Sequence, residues 1–275
     1  MTQYDKILYE VDDPVATITL NRPETLNGFS QAMGAEVRHA VWRADADPRV
    51  VGIVLTGAGR AFCAGADMKV LSAITEGTGA ADAADGVDVP VDPDRPDDLA
   101  GEYTYLMAGR KPVVAAINGA IAGMAVPIAL ACDVRFMAED APLLTAFAQR
   151  GLIAEWGLSW LLTRLAGPGV AMDLLLSSRK VRGSECAALG LVNAAMPAEE
   201  VLPHAVAYVR DLAERCSPAS MAVMKRQVYS QLHAGLGPAE REAQRLMVES
   251  FGRPDFAEGV QSFLEKRPPR FARLS

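Results

Sequence analysis

The sequence predicts an α/β fold with a helical C-terminal part. Strand-like and helix-like segments alternate over the first two thirds of the chain, and nearly everything after Gly167 is helical in pattern. The length of 275 residues is sufficient for one large domain, or for one domain with an appendage, and half of the residues are hydrophobic. We find no fixed-period repeat that would indicate a solenoid.

The chain begins with a predicted β-hairpin, "ILYEVDDPVATITL", in which two alternating strands flank an Asp-Asp-Pro turn. Asn21 to Gly28 is predicted to be a loop. Ser30 is a candidate N-cap for a helix extending to about Asp45. The uninterrupted β-rich run "RVVGIVLTG" then predicts a strand that is buried on both faces.

The middle of the chain contains a glycine-rich turn, a short helix and an acidic segment. The helix is predicted from about Ala66 to Ile74. Residues 76–100 carry eight acidic side chains and one basic one, with several Gly, Ala and Pro. This composition predicts a mobile, solvated excursion rather than a domain boundary.

Regular structure is predicted to resume with a helix near 98–109 and the strand "KPVVAAIN". A glycine turn, a helix from about Gly123 to Ala131 and the strand "DVRFMAE" follow. In the C-terminal helical part, "LGLVNAAMP" is the one strand-like interruption.

Charge and cysteine usage exclude several classes of function. The net charge of −7 argues against nucleic acid as a main partner. The four cysteines form no CxxC pair and have no ligand spacing with the three histidines, so neither a metal site nor a disulfide framework is predicted. Reduced thiols predict a cytoplasmic protein, and the polar N-terminus is unlike a signal peptide.

A membrane span is not predicted, although Val113 to Cys132 contains twenty uncharged residues. The stretch is rich in Ala and Gly, it includes Asn118 and Pro127, and it lacks basic anchors on both sides. A buried strand, a tight turn and a buried helix explain it better.

Two glycine-bounded transitions from strand to helix are candidates for chemistry: "FCAGADMK" and "NGAIAGMAVP". Free N–H groups at such turns bind developing negative charge, and two turns that face each other could direct two N–H groups at one oxygen. The alternative is that the glycines only permit tight turns and close packing.

Glu155 is the one charged residue in "GLIAEWGLSWLL", where it lies beside Trp156. A carboxylate in apolar surroundings is costly unless it is paired or functional. It is therefore a candidate acid/base. The alternative is an acid at a helix N-terminus that pairs with the helix dipole, with Arg150 or with Arg164. Weaker candidates are Cys63 as a nucleophile, where a small buried thiol is the alternative, and Asp67, which fits stabilisation of a helix start better than proton transfer.

Several ordered motifs resemble the crotonase superfamily, the enoyl-CoA hydratase/isomerase family. They are "NRPETLNGFS", "GRAFCAGADMKVL", "KPVVAAINGAIAGMAVPIALACDVRFMAE", "GLIAEWGLSWLLTRLAGP", "SECAALGLVN" and "EGVQSFLEKRPPRF", and together they cover almost the whole chain. The resemblance implies a crotonase-like spiral of ββα turns over 1–197. It also implies a C-terminal helical trimerisation region over 198–275, in a homotrimer or a dimer of trimers.

The same resemblance implies an acyl-CoA thioester as substrate, with coenzyme A entering as part of the substrate and no separate cofactor. The shared chemistry of the family stabilises a thioester enolate with two backbone N–H groups, which correspond here to those of Ala66 and Met124. Met124 stands where glycine is usual; it keeps the N–H donor but narrows the pocket. The other residues that we assign to substrate or CoA binding are Glu24, Leu26, Ala64, Asp67, Met68, Gly123, Trp156, Phe263 and Lys266. Of these, Phe263 and Lys266 match positions that commonly contact CoA from a neighbouring subunit.

The chain departs from the hydratases of this family at both of their glutamates, where it has Pro127 and Phe147. Glu155, eight residues beyond Phe147, resembles the position of a catalytic carboxylate in some isomerases and dehalogenases. One carboxylate supports an isomerisation, since it can take a proton from one carbon and return it to another, whereas hydration needs both a base and an acid. The expected function is thus an enoyl-CoA isomerase-type shift. The alternatives are hydration by Glu155 alone, thioester hydrolysis, dehalogenation, C–C cleavage, or a non-catalytic acyl-CoA binder.

Overall fold

The computed structural model describes residues 4–67, 72, 76, 77, 99 and 104–274. Within this part of the chain ten strands form two sheets. The strands are β1 Ile7–Asp12, β2 Val15–Leu20, β3 Gly52–Gly57, β4 Ala61–Cys63, β5 Val113–Ile117, β6 Ala120–Ala122, β7 Val134–Ala138, β8 Pro142–Leu144, β9 Val181–Arg182 and β10 Ala194–Met196.

The described α-helices are concentrated in the second half of the chain. They are α1 Gln31–Ala46, α2 Tyr105–Ala108, α3 Ala125–Leu130, α4 Leu158–Ser177, α5 Gly183–Ala188, α6 Ala198–Arg215, α7 Pro218–Gln231, α8 Leu236–Phe251 and α9 Pro254–Glu265. The final four follow one another with no strand between them, as predicted for a helical C-terminal part.

The chain passes repeatedly from one sheet to the other, and this alternation builds both sheets. The six-stranded sheet has the order β1-β2-β3-β5-β7-β10, and the four-stranded sheet has the order β4-β6-β8-β9. Each turn places one strand in the first sheet and the next strand in the second, as in the successive pairs β3 and β4, β5 and β6, and β7 and β8. Helix α3 follows the second pair and α4 the third, so the expected spiral of ββα turns is confirmed.

The core lies where the central strands of the larger sheet are covered on both faces. Every residue of β3 and of β5 is buried, and the two strands pair in parallel with Val54 opposite Val114. This burial explains why both strands have near-continuous apolar sequences instead of alternating ones.

Local predictions in the N-terminal part are confirmed. Strands β1 and β2 form an antiparallel hairpin, with Ile7 opposite Leu20. Ser30 caps α1, since its Oγ accepts a hydrogen bond from the Met33 N–H at 3.3 Å. The four-stranded sheet was not predicted from the sequence. Its strands have only two or three residues each, too few to show a period.

Some expectations concern residues outside the described part of the chain. The predicted helix from Ala66 to Ile74 and the excursion 76–100 fall largely there, as does Met68. The helix expected near 98–109 is described only as α2, Tyr105–Ala108.

The C-terminal helices attach to the spiral in two ways. Helix α6 packs directly on the larger sheet through fully buried side chains such as Val201 and Val209. The division at residue 197 therefore separates the two regions in sequence without separating their cores, and it stays a prediction. None of the described helices combines the length and apolarity that crossing a bilayer requires.

Helix α7 is attached by a buried ion pair. The Lys225 Nζ lies 2.8 Å from Asp133 Oδ2 and also donates to the carbonyls of Leu106 and Lys111, at 2.8 and 2.9 Å. Asp133 in turn accepts from the Val113 N–H at 2.7 Å and the Tyr229 hydroxyl at 2.7 Å. The pair is fully hydrogen-bonded, which is the condition for tolerating buried charge.

We expect Lys225→Met to destabilise the protein by about 3–5 kcal/mol, because Asp133 would be left as a buried charge without its cation. Chemical denaturation measures the loss. Adding Asp133→Asn should recover part of it, since the amide removes the unpaired charge. Equal stability of wild type and Lys225→Met would contradict a role for this pair in holding α7.

Candidate active site

A cavity of about 460 Å³ lies between the loop after β2, the two glycine turns and the segment that precedes α4. Residues of four segments line it: 25–28, 64–67, 122–124 and 145–155. Both predicted turns and Glu155 therefore meet at one cavity, although Gly65 and Glu155 are ninety residues apart in sequence.

The first turn is held by the loop after β2. Asn27, fully buried, donates through Nδ2 to the carbonyls of Ala61 and Phe62 at 2.9 and 3.1 Å, and its Oδ1 accepts from the Arg22 N–H at 2.9 Å. The Arg22 guanidinium donates to the Gly28 carbonyl at 2.8 Å and to Asp67 Oδ2 at 2.8 Å. These two residues bind the loop to both ends of the turn.

Sequence reasoning did not single out Arg22 or Asn27. The Asn-Gly dipeptide at 27 and 28 was the available signal, because Asn tolerates the left-handed backbone that it adopts here at φ 57°. Their contacts are tertiary and could not be read from local pattern.

The backbone pairing around Ala66 leaves its N–H outside the bridge that holds the turn. Ala66 forms an isolated parallel bridge with Phe29, in which the Phe29 N–H donates to the Gly65 carbonyl at 2.8 Å and the Asp67 N–H donates to the Phe29 carbonyl at 3.1 Å. In such a bridge the central residue's own N–H points away from the partner strand. Ala66 itself lines the cavity.

The second turn faces the first at close range. Gly123, at φ 54°, donates to the Leu144 carbonyl at 2.9 Å, and α3 begins directly after Met124. A Cβ added to Gly65, which has φ 99°, would lie 3.0 Å from the Ala122 carbonyl oxygen and 3.7 Å from the Gly123 Cα. Glycine is thus needed at 65 both for its backbone conformation and for this close approach.

Among the backbone donors of these turns, the N–H groups of Ala66 and Met124 have no acceptor within the part of the chain that the structure describes. Both residues line the cavity and both are partly exposed. An oxygen placed in the cavity would supply the missing acceptor, which is the arrangement that stabilises developing oxyanions.

The two carboxylates among the described lining residues differ in pairing. Asp67 is ion-paired with Arg22 at 2.8 Å, and its side chain is only 11% exposed. Glu155 is half-buried, and within the described chain its carboxylate has no hydrogen-bond or ion-pair partner. Asp67 is therefore a structural anion, whereas the Glu155 carboxylate is available to a ligand.

The contacts of Glu155 include neither of the arginine pairs that the helix-end alternative allowed. Helix α4 has Gly157 as N-cap, so Glu155 lies two residues before the cap, and its backbone carbonyl accepts from the Leu158 N–H. Arg150 donates to the Ala146 carbonyl at 3.1 Å, while the Arg164 guanidinium lies 3.9 Å from the centre of the Trp160 ring. Neither arginine pairs with the acid.

Pro127 and Phe147, the two residues that the sequence analysis compared with glutamates of hydratases, are both apolar and buried. Phe147 lines the cavity and is 5% exposed, and Pro127 is buried within α3. No proton-transfer group stands at either position.

The remaining residues assigned to substrate or CoA binding divide into groups. Leu26, Ala64 and Gly123 line the cavity, and Glu24 is exposed beside it, 4.0 Å from Arg22. Trp156 lines a separate, neighbouring cavity. Phe263 and Lys266 belong to the end of α9 and do not line the cavity of their own chain.

Cys63 has the properties of a packed thiol. It is fully buried, its Sγ lies 3.8 Å from the Gly65 carbonyl, and burial raises its pKa to about 12. A thiol with this pKa stays protonated near neutral pH, so a nucleophilic role is not supported.

Comparison with known proteins identifies relatives along the whole chain. The sequence model of the enoyl-CoA hydratase/isomerase family matches residues 10–273. A probable enoyl-CoA hydratase of Rhodobacter capsulatus is 39% identical over 98% of both chains. The 1,2-epoxyphenylacetyl-CoA isomerase of Escherichia coli is 33% identical over 96% of this chain and 97% of its own.

Solved structures agree with these relatives. A putative enoyl-CoA hydratase/isomerase family protein from Hyphomonas neptunium superposes with a TM-score of 0.84 at 31% identity over 98% of both chains. A probable enoyl-CoA hydratase/isomerase from Mycobacterium abscessus gives a TM-score of 0.82 at 31% identity, covering 98% of this chain and 99% of the other.

Proposed function

The chain belongs to the enoyl-CoA hydratase/isomerase family of acyl-CoA enzymes, and we propose that it moves a carbon–carbon double bond of an enoyl-CoA with Glu155 as the proton carrier. One observation carries the proposal: Glu155 is the carboxylate of the cavity that has no partner in the described chain, and it shares that cavity with both glycine turns.

In the proposed reaction the thioester carbonyl oxygen accepts hydrogen bonds from the N–H groups of Ala66 and Met124. Their stabilisation of negative charge on this oxygen lowers the barrier to removing a proton from the α-carbon. Glu155 takes that proton, the electron pair spreads over the dienolate, and the same carboxyl returns the proton at the γ-carbon. The double bond moves from β,γ to α,β, and neither water nor an oxidant is consumed.

Hydration is the second candidate, favoured by the relatives named as hydratases. It would require Glu155 alone to activate water and to supply the α-proton, because Pro127 and Phe147 carry no ionisable group.

Incubating the enzyme with 3-hexenoyl-CoA and, separately, with 2-hexenoyl-CoA distinguishes the two candidates. We expect interconversion of the two isomers, followed by NMR, with no 3-hydroxyhexanoyl-CoA. Accumulation of the hydroxy product from either substrate would replace the proposal with hydration. If the thioesters bind and neither product forms, the non-catalytic binder is favoured.

We also propose that CoA is bound in part by a neighbouring subunit, through Phe263 and Lys266. Phe263 is 82% exposed and the adjacent Leu264 is 73% exposed, both on α9. Apolar side chains this exposed mark interaction surfaces when they cluster. Neither residue lines the cavity of its own chain, which supports contribution to another chain's site.

The resulting expectation is a homotrimer or a dimer of trimers. Light scattering after size-exclusion chromatography should give three or six times the chain mass of 29.3 kDa. A monomer that turns over acyl-CoA at full rate would contradict the shared site.

A further inference from the structure

A second cavity is lined by the residues that directly follow Glu155. Its volume is about 300 Å³, and it lies between α2, the start of α4 and the end of α7. Glu155 lines the first cavity and the next residue, Trp156, lines the second, so the two cavities meet the chain at consecutive residues. A thioester whose carbonyl lies at the two turns and whose reacting carbons lie at Glu155 would extend its tail toward this second cavity.

The lining of the second cavity is aromatic and apolar. Trp156, Trp160 and Tyr229 contribute rings, and Met107 and Leu161 contribute apolar surface that is only 4% and 7% exposed. Protein interiors contain few voids larger than a water molecule, and apolar cavities of about 150 Å³ bind benzene. A cavity of twice that size, lined in this way, matches a ring together with the chain that carries it.

The rings are held in place by polar contacts at their edges. The Tyr229 hydroxyl donates to Asp133 Oδ1 at 2.7 Å, and the Trp160 ring is covered by the Arg164 guanidinium, 3.9 Å from the ring centre. The His233 ring lies 5.7 Å from the Trp160 ring, and His233 Nδ1 is 3.4 Å from Arg164. Fixed aromatic faces select flat ligands better than flexible side chains do.

The backbone at Trp156 is held in an uncommon conformation. Its φ of 57° lies in the left-handed region, which is rare for a bulky side chain, and Gly157 follows at φ 73°. A strained backbone conformation of this kind persists only where the surrounding structure holds it in place, and such residues are concentrated at functional sites. Here it places the indole in one cavity and the preceding carboxylate in the other.

We propose that this second cavity is the subsite for the acyl tail and that Trp156 makes it selective for acyl groups that carry a ring. The inference rests on the proposed function, because the path of the acyl tail follows from placing the thioester carbonyl at the turns and the reacting carbons at Glu155. Trp156 acts here as a specificity residue in contact with the tail, and it has no part in proton transfer.

Binding measurements test this without relying on turnover. 4-Phenylbutanoyl-CoA and decanoyl-CoA contain the same number of acyl carbons, and butanoyl-CoA is too short to reach beyond Glu155. By calorimetry we expect the phenyl compound to bind about tenfold more tightly than decanoyl-CoA, the size of effect that one or two aromatic ring contacts produce. Trp156→Leu should abolish most of this preference, and Trp156→Phe should restore much of it.

Met172→Ala is the matched control. This side chain is 54% exposed and lies on α4 outside both cavities, so the preference should persist. Equal affinities for the two ten-carbon thioesters in the wild type would overturn the inference, as would a preference that survives Trp156→Leu. A ring preference without any turnover would instead leave the subsite standing and refute the proposed reaction, so the two failures are distinguishable.

Discussion

Glu155→Gln should lower the rate of double-bond migration by about a hundred- to ten-thousandfold, the range in which a positioned acid/base contributes. The amide retains the size and hydrogen-bonding capacity of the side chain but cannot carry the proton. Because the interaction lost belongs to the chemical step, the affinity for acyl-CoA should be nearly unchanged. Single-turnover kinetics and calorimetry on the same preparation measure the two quantities.

Asp67→Asn is the matched control, since it neutralises the other carboxylate among the described residues that line the cavity. Asp67 is ion-paired with Arg22, so this variant should lose stability and keep most of its rate. If Asp67→Asn abolished turnover while Glu155→Gln retained it, the assignment of roles to the two acids would be reversed.

Ala66→Pro should lower the rate by about a hundred- to a thousandfold, because loss of one oxyanion donor typically costs that much. The bridge to Phe29 uses the Gly65 carbonyl and the Asp67 N–H, so the substitution deletes a donor that supports no hydrogen bond within the described chain. The decrease in rate should appear in kcat, since negative charge on the thioester oxygen develops only as the proton leaves the α-carbon.

Ala66→Gly retains the N–H and serves as the control for changes of shape at this turn. Thermal unfolding of both variants establishes that the fold is intact, because proline also restricts the backbone. A folded Ala66→Pro protein with the turnover of Ala66→Gly would exclude Ala66 as a donor.

Several parts of the fold could be predicted from sequence because their physical causes are local. The hairpin follows from two alternating strands around a turn, and α1 from a serine cap in front of an amphipathic run. The burial of β3 follows from a continuous apolar sequence. The short strands of the second sheet could not be predicted, because their pairing depends on the spiral and not on their own sequence. The pairing of Cys63 with Ile121 is an example.

The main parts of the candidate site could be predicted from the sequence. Glycines at 65 and 123 predicted two special turns, and an isolated carboxylate among apolar residues singled out Glu155. Three features of the site became visible only in the structure. They are the close approach of Gly65 to Gly123, the pairing of Asp67 with Arg22, and the position of Trp156 in a different cavity from Glu155. Each depends on contacts between segments that are distant in sequence or on a backbone turn that propensity alone does not specify.

Exchange of substrate hydrogen with solvent deuterium tests the role of Glu155 most directly, because it detects proton removal even where the preferred acyl group is unknown. With an acyl-CoA in deuterium oxide, the wild type should incorporate deuterium at the α- or γ-carbon. Glu155→Gln should do so slower by a factor of about a hundred or more at unchanged affinity. Exchange by Glu155→Gln at the wild-type rate would contradict the account and remove Glu155 from the chemistry.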